Sequence, residues 1–436
     1  ESPNPYVPFG KVLLFGACVY VAYEDGTEDM FYADEGSLTA PHPVITANVF
    51  GTEVIDGARK IDRWNDIGCD EKGWEEAYIV PDSDEPSGRL VNQWIPSIRV
   101  TNVYEGRLIG HIGGKLVYDF GRNMSGILKA EVRGKKGEKV IFRPAEKLTP
   151  EKDADQMAKG WMEINVFEEY RFGRDGEFEE FGMTFTYFGG RYVSVEGVEE
   201  DDIRNLRAEA ISSAFEDSGF FECDDERYMK IYKMIRNSIE ANILSVHTDC
   251  PTIERFAWQE ENVMMSRSVM YMKNVERHYR KFLSDARDAQ HSATDFFLDY
   301  DGGKYYPGYG LIPSQAPCYI PNPIPVEGMG SFYDIIPWGS SIIIGTYWDY
   351  MFYGNKDIIR ENYRAAKRYL NHLESKVNGD GFIAHGLGDW GNPDPANLAR
   401  ENIETAIFFG DYRLMGIMAR EIGNTTDMYN FLARAE

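Results

Sequence analysis

The sequence predicts a multidomain chain in which two all-β units precede an all-helical unit of the α/α type. Three observations carry that expectation. Up to about residue 200, apolar residues alternate or form short runs broken by Gly, Trp and hairpin-type turns, with no strong helical period. From Asp224 the period changes: Tyr228, Ile231, Tyr232, Ile235, Ile239, Ile243 and Val246 fall three and four apart. The later helical stretches, about seven of similar length, are joined by loops, and no repeat is sharp enough for a solenoid.

Taken in order, residues 11–23 are rich in β-branched and aromatic side chains, and Asp25-Gly26 offers a hairpin turn before Met30-Phe31-Tyr32. Short runs punctuated by Trp64 and Trp74 follow, so residues 1–95 read as a partial N-terminal β-sandwich. Residues 116–120, 126–132 and 139–143 read as successive strands, with Gly134 to Gly137 as a turn between the last two. Two further runs flank Gly189-Gly190, giving a second sandwich over 96–210. In the third unit, 211–436, Asp224 or Asp225 can cap the first helix. A second helix is expected after an acidic loop, then others near 275–289, 359–377, 398–421 and 426–436. Between them, residues 296–337 are Gly- and Pro-rich and carry Tyr305, Tyr306, Tyr309 and Tyr319; so long an irregular segment in a compact domain is usually functional.

Composition narrows the function. The chain has 436 residues, enough for about three domains. Asp and Glu number 71 against 46 Lys and Arg, a formal net charge of −25. So acidic a surface repels nucleic acid and leaves neutral sugars or cationic groups as ligands. Aromatic content is 14%, which fits carbohydrate binding but also a sandwich core. The five cysteines are scattered, without zinc-ligand spacing or a dense disulfide framework, and the seven histidines form no metal pattern, so neither metal nor cofactor is expected. No apolar run reaches the length of a membrane span.

The chemistry concentrates in Thr248 to Glu261, TDCPTIERFAWQEE, which holds Asp249, Glu254, Glu260 and Glu261 with Phe256 and Trp258 between them. Cys250 and Pro251 break the preceding helical pattern and place Glu254 on a loop or at the start of the next helix. A carboxyl beside Ile253, Phe256 and Trp258 loses solvent, which raises its pKa and keeps the proton a general acid needs. An indole face is a platform for a sugar ring. Carboxylates and aromatics together point to glycoside chemistry. The plainer reading is a helix N-terminus enriched in acids by the dipole.

Three stretches resemble one family. DCPTIERFAWQEE is similar to the acidic signature DCPxRExxGWxGD of bacterial α-L-rhamnosidases, glycoside hydrolase family 78. YDFGRNMSGILKAEVRGKKGEKVIFRPAEKL and FTYFGGRYVSVEG resemble the β-domain that precedes their barrel, and FGTEVIDGARK resembles an element of their N-terminal sandwich. LSDARDAQ, IPWGSS and LGDW resemble further barrel segments. The resemblance implies an (α/α)6 barrel that removes terminal α-L-rhamnose with inversion and without cofactor, and it favours a secreted or periplasmic protein. Carried over, Glu254 matches the general acid, Asp249 and Glu261 match carboxylates on the sugar hydroxyls, and Trp258 matches the stacking tryptophan; Trp338 and Trp390 fall in the weaker segments as substrate-binding candidates. The second carboxylate of an inverting pair, roughly 6.5–9.5 Å from the acid, activates water. In the family it lies late in the barrel, and since this chain ends about halfway round, the base is expected to be absent from it. Ile253 replaces the arginine before the acid, Glu261 replaces aspartate and Ser340 replaces the aspartate of WGDA, so a sugar other than plain rhamnose, or a scaffold that binds carbohydrate without turnover, stays open.

Overall fold

The computed structural model describes residues 15–81, 91–156, 166–298, 303–318, 332–391 and 399–436. An exposed antiparallel hairpin comes first, Cys18–Ala22 against Glu28–Tyr32, closed by the expected turn at Gly26. The centre of the β region is a ten-stranded sheet in the order Val44–Asn48, Thr52–Asp56, Glu168–Arg171, Lys139–Ala145, Phe188–Glu196, Lys115–Arg133, Ile203–Ser213 and Ile98–Glu105. Phe178–Gly182 and Arg107–Ile112 also pair with Lys115–Arg133. Pairing is antiparallel except between Glu168–Arg171 and Thr52–Asp56, so two strands from the first 95 residues extend the same sheet as the later ones.

Residues 116–120 and 126–132, expected as two strands, are one strand of 19 residues. Gly121, at φ 79°, turns the backbone without ending it, and the strand gains its length by taking two partners along one edge: Phe188–Glu196 beside its first half and Phe178–Gly182 beside its last residues. The Gly134–Gly137 turn exists, but the strands on either side pair with other strands and not with each other. Gly189 and Gly190 lie inside Phe188–Glu196 rather than between two runs. Phe142 and Phe188 are fully buried in the sheet's core, each contributing about 1.5–3 kcal/mol.

The described helices are α1 (Glu226–Asn242), α2 (Gln259–Met264), α3 (Ser266–Met272), α4 (Glu276–Asp288), α5 (Ile336–Gly339), α6 (Ser341–Tyr353), α7 (Asp357–Glu374), α8 (Arg400–Glu421) and α9 (Thr425–Arg434). Asp225 caps α1 by accepting from the Arg227 N–H. The helix stops at Asn242, short of Val246, because Ser245 adopts φ 69° and residues 243–247 fold into a small hairpin. Apolar faces of α4, α6, α7 and α8 share a core that includes Tyr279, Leu283, Ile342, Ile343, Tyr369, Leu370 and Met415. The described parts of 296–337 are mostly irregular, as expected; Tyr319 lies outside the described residues. The two regions are joined at the long strand. Asn237 donates to the Asn123 carbonyl at 2.9 Å, Ser125 Oγ to the Ala241 carbonyl at 2.5 Å, and Arg122 pairs with Glu240 at 3.0 Å.

Candidate active site

The loop between the small hairpin and α2 is shaped by its own polar groups. The Asp249 N–H donates to the Phe256 carbonyl at 3.3 Å, and Asp249 Oδ1 accepts from the Phe256 N–H at 3.0 Å, tying the two ends together. Cys250 Sγ donates to Asp249 Oδ2 at 3.1 Å and accepts from the Glu254 N–H at 3.3 Å. Arg255 takes up φ 57°, a region non-glycine residues seldom visit. Its side chain is buried: it donates to the carbonyls of Pro251 (2.8 Å) and Val49 (2.9 Å), and its guanidinium lies 3.9 Å from the Tyr187 ring centroid. The loop thus has an arginine anchor, two positions after Ile253. Close seating on the sheet needs glycine beneath it, since a Cβ on Gly189 would lie 2.6 Å from the Pro251 carbonyl oxygen.

Glu254 sits on this loop, before the helix begins, and accepts from Trp258 Nε1 at 2.8 Å. Trp258 lies against Trp338, ring centroids 4.8 Å apart, and edge-on to Phe256. Phe332 and Trp390 make a second T-shaped pair. These rings and the acids enclose a cleft of ≈590 Å³. Five of the six residues singled out from the sequence line it: Asp249, Glu254, Trp258, Trp338 and Trp390. Glu261, the sixth, stands off the lining, near enough to Asp249 for their charges to interact. Asp389 is exposed, and Ser340 is buried with its hydroxyl on Asp411.

Two more residues line the cleft: Glu260, which the sequence places in the acidic loop without a role, and Gln315, which sequence reasoning passes over. Glu260 had a visible signal, because it occupies the second glycine of DCPxRExxGWxGD. Gln315 had none. A backbone bridge between Trp258 and Gln315 brings it in from 57 residues along the chain. Glu404 on α8 acts one step behind the wall, accepting from the Gly388 N–H at 3.0 Å and so holding the loop that carries Trp390.

Burial pushes the Asp249 carboxyl up to about 6, with the Glu254 charge adding to the rise and the Cys250 thiol opposing it. Burial, then the charges of Glu261, Asp249 and Glu254, push Glu260 up to about 8. Burial and Asp249 push Glu261 up to about 7. Such a site can exchange protons near neutral pH and present several acceptors to a polyhydroxylated ligand between aromatic walls. Among the described residues no three His, Cys, Asp or Glu converge as metal ligands, and no helix is long and apolar enough to cross a membrane.

Family comparisons agree with this architecture. Residues 216–436 match the bacterial alpha-L-rhamnosidase 6 hairpin glycosidase domain, 111–214 the bacterial alpha-L-rhamnosidase concanavalin-like domain, and 3–102 the alpha-L-rhamnosidase N-terminal domain. An alpha-L-rhamnosidase of Formosa agariphila is 24% identical over 376 residues, 85% of this chain and 38% of the relative. The alpha-L-rhamnosidase structure from Dictyoglumus thermophilum superposes with TM-score 0.81 at 26% identity, over 96% of this chain and 44% of the other. That of the Streptomyces avermitilis enzyme complexed with L-rhamnose gives TM-score 0.80 at 25% identity, over 96% and 38%. The chain spans about two-fifths of the length of the curated relatives it matches.

Proposed function

This chain belongs to the bacterial α-L-rhamnosidase family, and we propose that its cleft is the acid side of a site that hydrolyses terminal α-L-rhamnosides with inversion. The observation that carries this reading is Glu254 on the cleft wall, fixed by the Trp258 indole N–H at 2.8 Å. With Oε2 held by that bond, Oε1 carries the proton to the departing glycosidic oxygen. Asp249, with Glu261 behind it, accepts from sugar hydroxyls. Trp258 offers its ring to the sugar's apolar face, and Trp338 and Trp390 wall the cavity. In this scheme the second carboxylate, which activates water, comes from a segment of the whole protein outside these 436 residues. The helices from residue 211 then form part of an (α/α)6 barrel, preceded by sandwich units over 1–95 and 96–210.

The test is Glu254→Gln in the whole protein. Turnover of natural rhamnosides, whose leaving groups need a proton, is expected to fall roughly 10²–10⁴-fold. Aryl rhamnosides with an activated phenol should lose much less. Equal losses on both substrates would place the acid elsewhere and leave Glu254 as a sugar contact.

A further inference from the structure

The cleft is lined by acids and aromatic rings, with no Lys or Arg on its described wall. Asp249, Glu254 and Glu260 line it, and Glu261 stands behind Asp249. Among the described residues no Lys or Arg forms an ion pair with Asp249, Glu260 or Glu261. The Trp258 N–H is already spent on Glu254. Two acceptor atoms are left over: Glu260 Oε2 and Gln315 Oε1, both buried and without a hydrogen-bond partner. Gln315 is only 4% exposed, on the wall of the cleft, and makes no side-chain hydrogen bond to any described residue. A buried acceptor left without a donor is destabilising, so the ligand that belongs here brings donors to these atoms.

We propose that Glu260 and Gln315 set the cleft's specificity, selecting a 6-deoxyhexose that carries a protonated amino group over the neutral sugar. This rests on the reading that the cleft binds a rhamnose-like sugar. A hydroxyl brings one donor and no charge. An ammonium brings three donors and a positive charge, and its hydrogen bonds to a carboxylate are about twice as strong as neutral ones. It also relieves the mutual repulsion that, after burial itself, holds Glu260 near 8. Glu260 stands at a glycine of the family's acidic signature, so the feature distinguishes this chain from that pattern.

The experiment is calorimetric titration of the whole protein with methyl α-L-rhamnopyranoside and with its counterparts in which the C2, C3 or C4 hydroxyl is replaced in turn by an amine. One aminated counterpart is expected to bind about tenfold or more tighter than the parent, an advantage that shrinks as salt is raised from about 20 to 200 mM. Glu260→Gln and Glu260→Gly should bring the ratio of aminated to parent affinity down to about one, and Gln315→Leu should reduce it. If the parent binds and no aminated sugar gains, the selectivity proposal fails and the rhamnoside site stands. If nothing binds, both fall. An amine preference that survives Glu260→Gly assigns the selectivity to other groups and overturns this one. The wild-type comparison decides even if a variant does not fold.

Discussion

Acids buried in the sheet and acids at the cleft are treated in opposite ways. In the sheet Asp119, Glu169 and Glu209 each have a counter-ion. Arg191 holds Asp119 through two bonds of 2.7 and 2.8 Å, and the Gly121 N–H adds a third, so Asp119 ionises below the usual carboxylate range. Burial works against ionisation at Glu169 and Glu209, but Lys139 with Arg171, and Lys129 with Arg207, outweigh it and keep both low. At the cleft, burial raises Asp249, Glu260 and Glu261 with no such partner to oppose it. The helical environment is not the cause. Asp334, buried among the helices, is held far below the usual range because His372, His385 and Lys376 outweigh its desolvation. Bare acids also occur among the helices, where burial raises Asp349 to about 7 with both its oxygens unpartnered; the cleft differs in gathering three raised acids on or just behind one wall. Glu53 and Glu168 are informative exceptions in the sheet. Burial raises Glu53 against backbone N–H bonds from Thr184 and Phe185. Burial and Glu53 raise Glu168 well above the usual range, both Glu168 oxygens lack partners, and its compensating charge is Arg255 under the acid loop.

The strongest way to break this contrast is Arg255→Met. The variant loses two charge-assisted bonds, to Pro251 and Val49, and leaves Glu168 beside Glu53 without a cation. A loss of about 3–5 kcal/mol in denaturant unfolding is expected. A loss under about 1 kcal/mol would mean that Arg255 is not the strap between loop and sheet.

A paired comparison comes next. Asp119→Ala strands Arg191 and should cost about 1.5–3 kcal/mol. Glu260→Gln removes an acid that no cation holds, so stability should be unchanged or higher. If both variants lose the same amount by chemical denaturation, the distinction between paired and bare acids is wrong.

Glu261→Asp is a smaller change, one methylene on a residue just behind Asp249. In the whole protein it should raise activity on simple rhamnosides relative to the natural substrate by about 10-fold or less, the scale of a single methylene in a binding pocket. An unchanged ratio across a sugar panel would separate Glu261 from selectivity.

How much of this was legible beforehand follows from what periodicity can see. α1, α4, α7 and α9 have one apolar face each and were placed within a few residues. α6 is SIIIGTYWDYMFY, buried through much of its surface, so no polar stripe sets a period. The long strand was cut in two because Gly121 and Asn123 look like a turn, and only the partners on its edge show that the chain runs on. In the site, Asp249, Glu254 and Trp258 were readable because one contiguous loop holds them. Trp338 and Trp390 come from distant segments and were reached through resemblance, whereas Gln315 depends on a tertiary bridge that leaves no trace in the sequence.

The last expectation concerns pH, and its sign follows from which state binds protons more tightly. Asp249, Glu260 and Glu261, at about 6, 8 and 7, all lie above their ordinary values in the folded protein. Asp349 and Glu404, both raised to about 7 by burial, behave alike. As pH falls from about 8.5, the folded state takes up protons before the unfolded chain does, so stability rises on acidification. Two histidines oppose this lower down. Burial drops His247 to about 4 and His278 to about 3, so below about 6.5 the unfolded chain gains protons that the folded state refuses. Below about 4 the paired sheet acids add to that loss, because their folded values lie under the unfolded ones. Melting temperature followed by calorimetry should therefore climb as pH is lowered from about 8.5, keep climbing below about 6.5 because the five raised acids outnumber the two histidines, and fall only near and below about 4. Glu260→Gln should flatten the climb, since it removes the group with the highest value, whereas Asp119→Ala should leave the climb intact and act only at the acid end. A wild-type profile that is flat or rising with pH between 6.5 and 8.5 would show that the cleft acids are compensated in solution, and with them the contrast between sheet and cleft would go.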